Sequence, residues 1–286
     1  MTTNLVLDTD IGSDVDDLLA LATIFGSPTV VLRGVTTVYG DTVLRARIVA
    51  HACRLAGVVV RPIVAGLAQP RSGADVWWAG HEGRLIPDLE AEQIDAEPSA
   101  LQVLAISPIV AAVGPLTNLA AALDQPGCQI TDVFVMGGSF AGAEIEHNFR
   151  SDSDAAAAVF SSGVRTTAIG LNQTTRIRVD ASVAAELEAC GAFGRLLAAE
   201  LRQYWDASES SSNVPHDAIA IVMLTDPEVF TFESGRVSIT ADGKEAGTSR
   251  FTSDGSGRHR IVTDLNEVRV AELIRARLLA AARAAG

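Results

Sequence analysis

Lysine is almost missing from this chain. Lys244 is the only one among 286 residues, so arginine carries nearly all the positive charge. Acids outnumber bases by 35 to 22, for a formal net charge of −13. A surplus of that sign argues against nucleic acid and anionic membranes as partners, because both repel it. Cysteine is scarce as well: Cys53, Cys128 and Cys190 are an odd, widely spaced set without a CxxC pair. That argues against a thiolate zinc site and against a disulfide framework, and leaves buried thiols. No apolar run is long enough to cross a bilayer. The most apolar stretch, Leu101 to Leu123, is interrupted by Ser107, Pro108, Gly114, Pro115 and Asn118, and reads as a strand, a loop and a helix. The N-terminal Met1-Thr2-Thr3-Asn4 lacks the basic region of a secretory signal. The expectation is a soluble, cytoplasmic protein.

What the chain does have is alternation. Nearly half its residues are apolar, enough for a sizeable core. Strand-like runs fall at 4–7, 30–38, 58–64, 109–113, 132–136 and 166–171, and helical patterns at 17–25, 43–56, 116–123, 154–161 and 181–204. Strands alternating with helices predict an α/β fold. It is an open, mostly parallel, Rossmann-like sheet with helices on both faces. Beyond Phe230, three short runs with turns at Asp242-Gly243 and Asp254-Gly255 predict a β-hairpin region, followed by a terminal helix from about Asn266. The whole chain, 1–286, reads as one catalytic domain. A Ser-rich segment, Asp206 to Asn213, precedes Pro215-His216-Asp217 and suits a lid.

Chemistry concentrates at the start. Asp8, Asp10, Asp14, Asp16 and Asp17 fall within ten residues, between an apolar strand and an apolar helix. So much negative charge in one turn is unfavourable without a counter-charge. A helix N-terminus supplies only about half an elementary charge. A divalent cation is the simplest remedy, and hard oxygen ligands favour calcium or magnesium. In open parallel sheets, ligands bind beyond the C-terminal strand ends. The acidic turn, the turn at 38–41, Val113-Gly114-Pro115 and Met136-Gly137-Gly138 all belong there.

Asp8-Thr9-Asp10-Ile11-Gly12, followed by Asp16-Asp17, resembles the N-terminal signature of the nucleoside hydrolase family, the inosine/uridine-preferring N-ribohydrolases. Gly114-Pro115-Leu116-Thr117-Asn118, Met136-Gly137-Gly138, Glu146-His147-Asn148 and His216-Asp217-Ala218 match further family segments in the same order. The resemblance spans residues 5 to about 265. It implies Ca2+ held by the carboxylates of Asp10, Asp17 and Asp217 and the backbone carbonyl of Thr117. It makes Asp16 the general base and Asp8 a residue that fixes the turn. Glu146 and Asn148 would bind ribose, and Asp41 stands where the family usually has Asn. His216 would protonate the departing base. Tyr204, Trp78 and His81 are the remaining substrate-binding candidates, the last two on a Gly-rich loop, Trp77 to Gly83.

The spacing departs from the usual pattern: three residues, not one, separate Gly12 from the Asp pair, and the added Asp14 is a second candidate for the base. The loop from Gly138 to Glu146 is shorter than in most relatives. It lacks the Asn that contacts the 5′-hydroxyl and places Phe140 nearby instead. The implied activity is calcium-dependent hydrolysis of the N-glycosidic bond of ribonucleosides, giving free base and ribose. The implied partner is a small nucleoside, with a homodimer or homotetramer as the assembly. Two other readings compete. A haloacid dehalogenase-type magnesium phosphatase also opens on DxD, but needs a well-placed Lys or Arg and a downstream acidic pair. A non-catalytic calcium- or ribose-binding protein would bind the ion without releasing ribose.

Overall fold

Strand and helix alternate from the first residues, as the hydrophobic pattern predicts: β1 (Thr3–Thr9), α1 (Asp16–Phe25), β2 (Val30–Thr37), α2 (Thr42–Ala56) and β3 (Ile63–Ala65). Then come α3 (Ala100–Ala105), β4 (Ile109–Ala112), α4 (Thr117–Leu123), β5 (Asp132–Met136), α5 (His147–Ser151), α6 (Ser153–Ser161) and β6 (Arg165–Ile169). The rest comprises α7 (Leu171–Thr174), β7 (Val179–Asp180), α8 (Ala181–Glu188), α9 (Ala192–Ser208), β8 (Ser212–Asn213), α10 (His216–Thr225), β9 (Phe230–Ile239), β10 (Ser249–Ser253), β11 (His259–Leu265) and α11 (Glu267–Ala284). The computed structural model describes residues 2–142 and 144–284; Met1, the last two residues and Ala143, inside the Gly138–Glu146 loop, lie outside them.

One nine-stranded sheet runs in the order β10-β9-β11-β6-β5-β4-β1-β2-β3. Every pair from β11 to β3 is parallel, while β9 and β10 add antiparallel strands at one edge. The expected C-terminal hairpin is therefore not a separate unit. β11 joins the parallel sheet beside β6 and carries β9 and β10 with it. Two apolar cores cover the faces. One gathers α1, α2, α9, α10 and α11 around Leu19, Phe193 and Ile221. The other gathers α3, α4 and α6 around Leu104, Leu119 and Phe149. No helix of the described residues is long and apolar enough to cross a membrane.

Four expectations about elements change, each for a local reason. The stretch from Leu101 opens as a helix, because Ser99 and Gln102 form a reciprocal capping box ahead of it. The run 58–64 yields only the short β3, since Pro62 offers no backbone donor. The helix 181–204 divides into α8 and α9 at Gly191, whose φ of 99° suits glycine alone. The Ser-rich segment is ordered at both ends. α9 runs on to Ser208, and Ser212–Asn213 pairs with β7.

Candidate active site at the strand switch point

β1 pairs with β2 on one side and β4 on the other, so the direction of winding reverses between β1 and β4. A crevice opens there, beyond the C-terminal strand ends. β1 ends in the acidic turn and β4 ends in Gly114-Pro115. The two turns meet so closely that a Cβ on Gly114 would lie 2.6 Å from Asp10 Oδ1.

Asp16 and Asp17 open α1, and Asp217 lies in the first turn of α10. α1 and α10 pack together, so three carboxylates come from two adjacent helix N-termini, where negative charge is favoured. One oxygen from each of Asp16, Asp17 and Asp217 lies within 4.8 Å of the others. This trio differs from the expected ligand set, in which Asp10 took the place of Asp16. Asp10 comes from the end of β1 and stands beside the trio, in the same cavity.

Burial raises the pKa of Asp16, Asp17 and Asp217 well above the usual carboxylate value, and their mutual repulsion adds to it. Asp10 is raised by burial and held back by Arg45. Asp8 accepts from Thr36 Oγ1 at 2.6 Å and Asn118 Nδ2 at 2.8 Å, while its other oxygen is buried without a partner. Burial pushes it up to about 7. Asn118, whose side chain also bonds Thr37 and Leu67, ties the ends of β1, β2 and β4 together. Asp14, the alternative base, is hydrogen-bonded to Tyr204 and to Asn213, and burial raises it to about 6.

Beneath the turn lies a residue the sequence did not single out. Arg45 is 0% exposed. Its Nε donates to the Tyr39 carbonyl at 2.7 Å, its Nη1 to the carbonyls of Asp10 and Ile11, and its Nη2 to Ser13 Oγ. Ser13 in turn donates to Glu82, which also accepts from the amides of Ala79 and Gly80. An arginine inside an apparently ordinary helical pattern gives no sequence signal of this task.

The cavity measures about 500 Å³. Of the residues expected from sequence, Asp10, Asp14, Asp16, Asp17, Glu146, Asn148, Tyr204, His216 and Asp217 line it. Four others do not. Asp41 is exposed and caps α2, accepting from the Leu44 amide at 2.9 Å. Trp78 lies against the Arg45 guanidinium, 4.8 Å from its ring centroid, and its neighbour Trp77 faces the cavity instead. His81 is occupied by the Ser13 carbonyl at 2.9 Å. Thr117 is buried at the start of α4, its hydroxyl donating to Asp152 at 2.5 Å.

Glu146 caps α5 through the amides of Asn148 and Phe149 and also accepts from Gly138 N. Burial pushes it to about 7. Asn148 Nδ2 donates to the Val113 carbonyl at 2.7 Å, which leaves its carbonyl oxygen available. His216 Nδ1 lies 2.7 Å from Thr174 Oγ1. Burial lowers His216 to about 4, below the near-neutral value expected of it. His147 and Arg150 also line the cavity, though the sequence reading passed over both.

Residues 5–272 match the model of the inosine-uridine preferring nucleoside hydrolase family. A non-specific ribonucleoside hydrolase of Klebsiella pneumoniae is 32% identical over 277 residues, covering 88% of each chain. A probable uridine nucleosidase 2 of Oryza sativa is 31% identical, covering 83% of this chain and 78% of that protein. Among solved structures, a plant nucleoside hydrolase superposes with a TM-score of 0.84 at 23% identity, covering 97% of this chain and 99% of that one. A purine-preferring ribonucleoside hydrolase from Gardnerella vaginalis gives 0.82 at 21%, covering 98% and 99%. With the match running through the acidic turn and on past α10, this chain belongs to the inosine-uridine preferring nucleoside hydrolase family, enzymes that hydrolyse the N-glycosidic bond of nucleosides.

Proposed function

We propose that this enzyme converts ribonucleosides to free base and ribose in a calcium-dependent reaction, within a single catalytic domain. One observation carries the reading: four buried carboxylates, Asp10, Asp16, Asp17 and Asp217, converge on one cavity floor and make no ion pair among the described residues. Their donors are all hard oxygens, and a nest of several protein carboxylates suits calcium better than the strongly hydrated magnesium ion. Asp16, Asp17 and Asp217 would hold the ion, with the Thr117 carbonyl as the main-chain donor implied by the family. When bound, calcium supplies Lewis acidity to a water and an anchor for vicinal hydroxyls.

The remaining roles fall to the chain itself. Asp10 is the carboxylate left outside the trio, and no side-chain hydrogen bond from the described residues occupies it. We therefore give Asp10 the role of base, in place of Asp16. Glu146 and the Asn148 carbonyl oxygen accept from the sugar hydroxyls. At the other end, Tyr204 and His216 face the base. With Nδ1 turned to Thr174, neutral His216 offers its Nε2–H as a hydrogen bond to the departing nitrogen and so stabilises the charge that builds there. The phosphatase alternative loses its lysine, since Lys244 lies in the turn between β9 and β10, away from the cavity lining, and the family match points away from it. A cytoplasmic homo-oligomer completes the reading and is open to light scattering on the purified protein. The decisive test is reducing-sugar release over a nucleoside panel, with calcium, with chelator, and with calcium restored. Calcium binding without sugar release on any nucleoside would sink it.

A further inference from the structure

One wall of the cavity, made by Trp77, Ile145, His147 and Arg150, is used neither by the carboxylates nor by His216. His147 and Arg150 stand three residues apart on α5, so they share a face of that helix. The Trp77 ring meets His147 edge-on, with centroids 5.5 Å apart. Arg150 is exposed and makes no ion pair among the described residues, although it borders the densest group of acids in the molecule. Some exposed arginines, such as Arg71, Arg165 and Arg202, each grip a carboxylate, but Arg84 and Arg195 are unpaired among the described residues as Arg150 is, so what sets Arg150 apart is its place in the cavity lining.

The same wall lies at the sugar end of the proposed site, because Glu146 caps the N-terminus of α5. The loop leading into α5 offers little to a neutral hydroxyl. Of its described residues before Glu146, only Ile145 lines the cavity, and Phe140 is turned towards Gly138 with its amide on Asn172. A group projecting from the outer end of the sugar therefore meets two polar side chains, an imidazole and an unpaired guanidinium. A guanidinium gains most from a phosphate, which its fork can grip bidentately.

We propose that the substrate carries a phosphate ester at the outer end of the ribose: the enzyme accepts ribonucleoside 5′-monophosphates, with Arg150 as the phosphate-binding residue and His147 beside it. This rests on the N-glycosidic reading above. Water adds hydroxyl to the anomeric carbon and its proton passes to the leaving nitrogen. The C–N bond breaks and the phosphate ester stays intact, so the products are free base and ribose 5-phosphate.

The test compares base release from uridine and inosine with release from their 5′-monophosphates. It also compares inhibition and calorimetric binding of ribose with those of ribose 5-phosphate. The monophosphates should be preferred by about 10- to 100-fold in kcat/KM, the range expected of a charge-assisted pair. Ribose 5-phosphate should bind correspondingly tighter than ribose. Arg150→Met should collapse both ratios, mainly through KM, and Arg150→Lys should recover part of them. Hydrolysis of nucleosides alone, with ribose 5-phosphate binding no better than ribose, overturns this inference and leaves the nucleosidase reading standing. If no compound is hydrolysed, the nucleosidase reading falls. The binding arm then decides the inference by itself: an Arg150-dependent preference for ribose 5-phosphate supports it, and its absence overturns it.

Discussion

Arg45 and Asp10 meet through the backbone: the Arg45 guanidinium donates to the main-chain carbonyl of Asp10, and to that of Ile11 at 2.8 Å. The carboxylate of Asp10 is thereby left to the cavity. The turn carrying the acids is held from behind by a fully buried cation, whose charge favours the ionised form of Asp10. Its other contacts reach Tyr39, whose φ of 69° is unusual for a bulky residue, and Ser13. The strand end, the turn and the start of α2 form one rigid support.

Arg45→Met should therefore destabilise the fold by about 3–5 kcal/mol, since it strands several buried acceptors. Arg45→Lys should recover little, because a single ammonium cannot span acceptors on both sides of the turn. Urea denaturation provides the measurement. Near-wild-type stability of the Met variant would show that the turn holds itself.

Removing calcium should lower the melting temperature. Binding at 100 times Kd stabilises a fold by about 2.7 kcal/mol. The chelated protein should also depend on pH. Asp8 and Glu146 are raised to about 7 by burial. Their contribution is complete below the unfolded value of about 4 and is lost as pH rises through about 7. His216, lowered to about 4, acts oppositely, its contribution being lost as pH falls from about 6.5 towards 4. Asp14, Asp16, Asp17 and Asp217 are raised by burial as well and act in the same direction as Asp8 and Glu146, so the chelated enzyme should melt higher at pH 5 than at pH 7.5. Calcium should flatten the difference by favouring the ionised carboxylates. A melting temperature indifferent to calcium at pH 7.5 contradicts the proposed ion site.

Asp10→Asn should keep calcium and lose about 10²–10⁴ in kcat, the usual cost of losing a general base. Asp16→Asn should instead weaken calcium binding. Calorimetric titration and single-turnover assays on both variants separate the two roles. Asp16→Asn that retains calcium but is inactive, with Asp10→Asn failing to bind the ion, would exchange them. Asp14→Asn should be the mildest of the three, because its carboxylate is engaged by Tyr204 and Asn213.

His216→Ala should slow natural nucleosides much more than a nitrophenyl riboside, whose leaving group departs without a proton. Calcium affinity should not change, since His216 is not among the proposed ligands. Equal losses on both substrates would instead indicate that His216 positions its neighbour Asp217. Because His216 is neutral at pH 7, the activity of the wild type should show no fall between pH 6 and 7.5 traceable to its deprotonation.

The strand–helix alternation, the placement of the acidic turn and the likeness to nucleoside hydrolases were legible in the sequence. Each rests on local order: apolar periodicity sets the elements, and Asp8-Thr9-Asp10-Ile11-Gly12 is contiguous. What local order leaves open is the direction of a side chain once its backbone is placed. Asp41 sits in an expected turn, yet capping α2 draws it outwards. Trp77 and Trp78 are adjacent, and the packing of Trp78 on Arg45 leaves Trp77 to face the cavity. The grouping of Asp16 with Asp17 and Asp217 depends on α1 packing against α10, a contact about 200 residues apart in the chain. Composition and pattern determined that acids would gather at the end of β1. Which of them converge on one point, and which cation supports them from beneath, was decided by tertiary packing, because a few ångströms between distant helices separate one arrangement of charge from another.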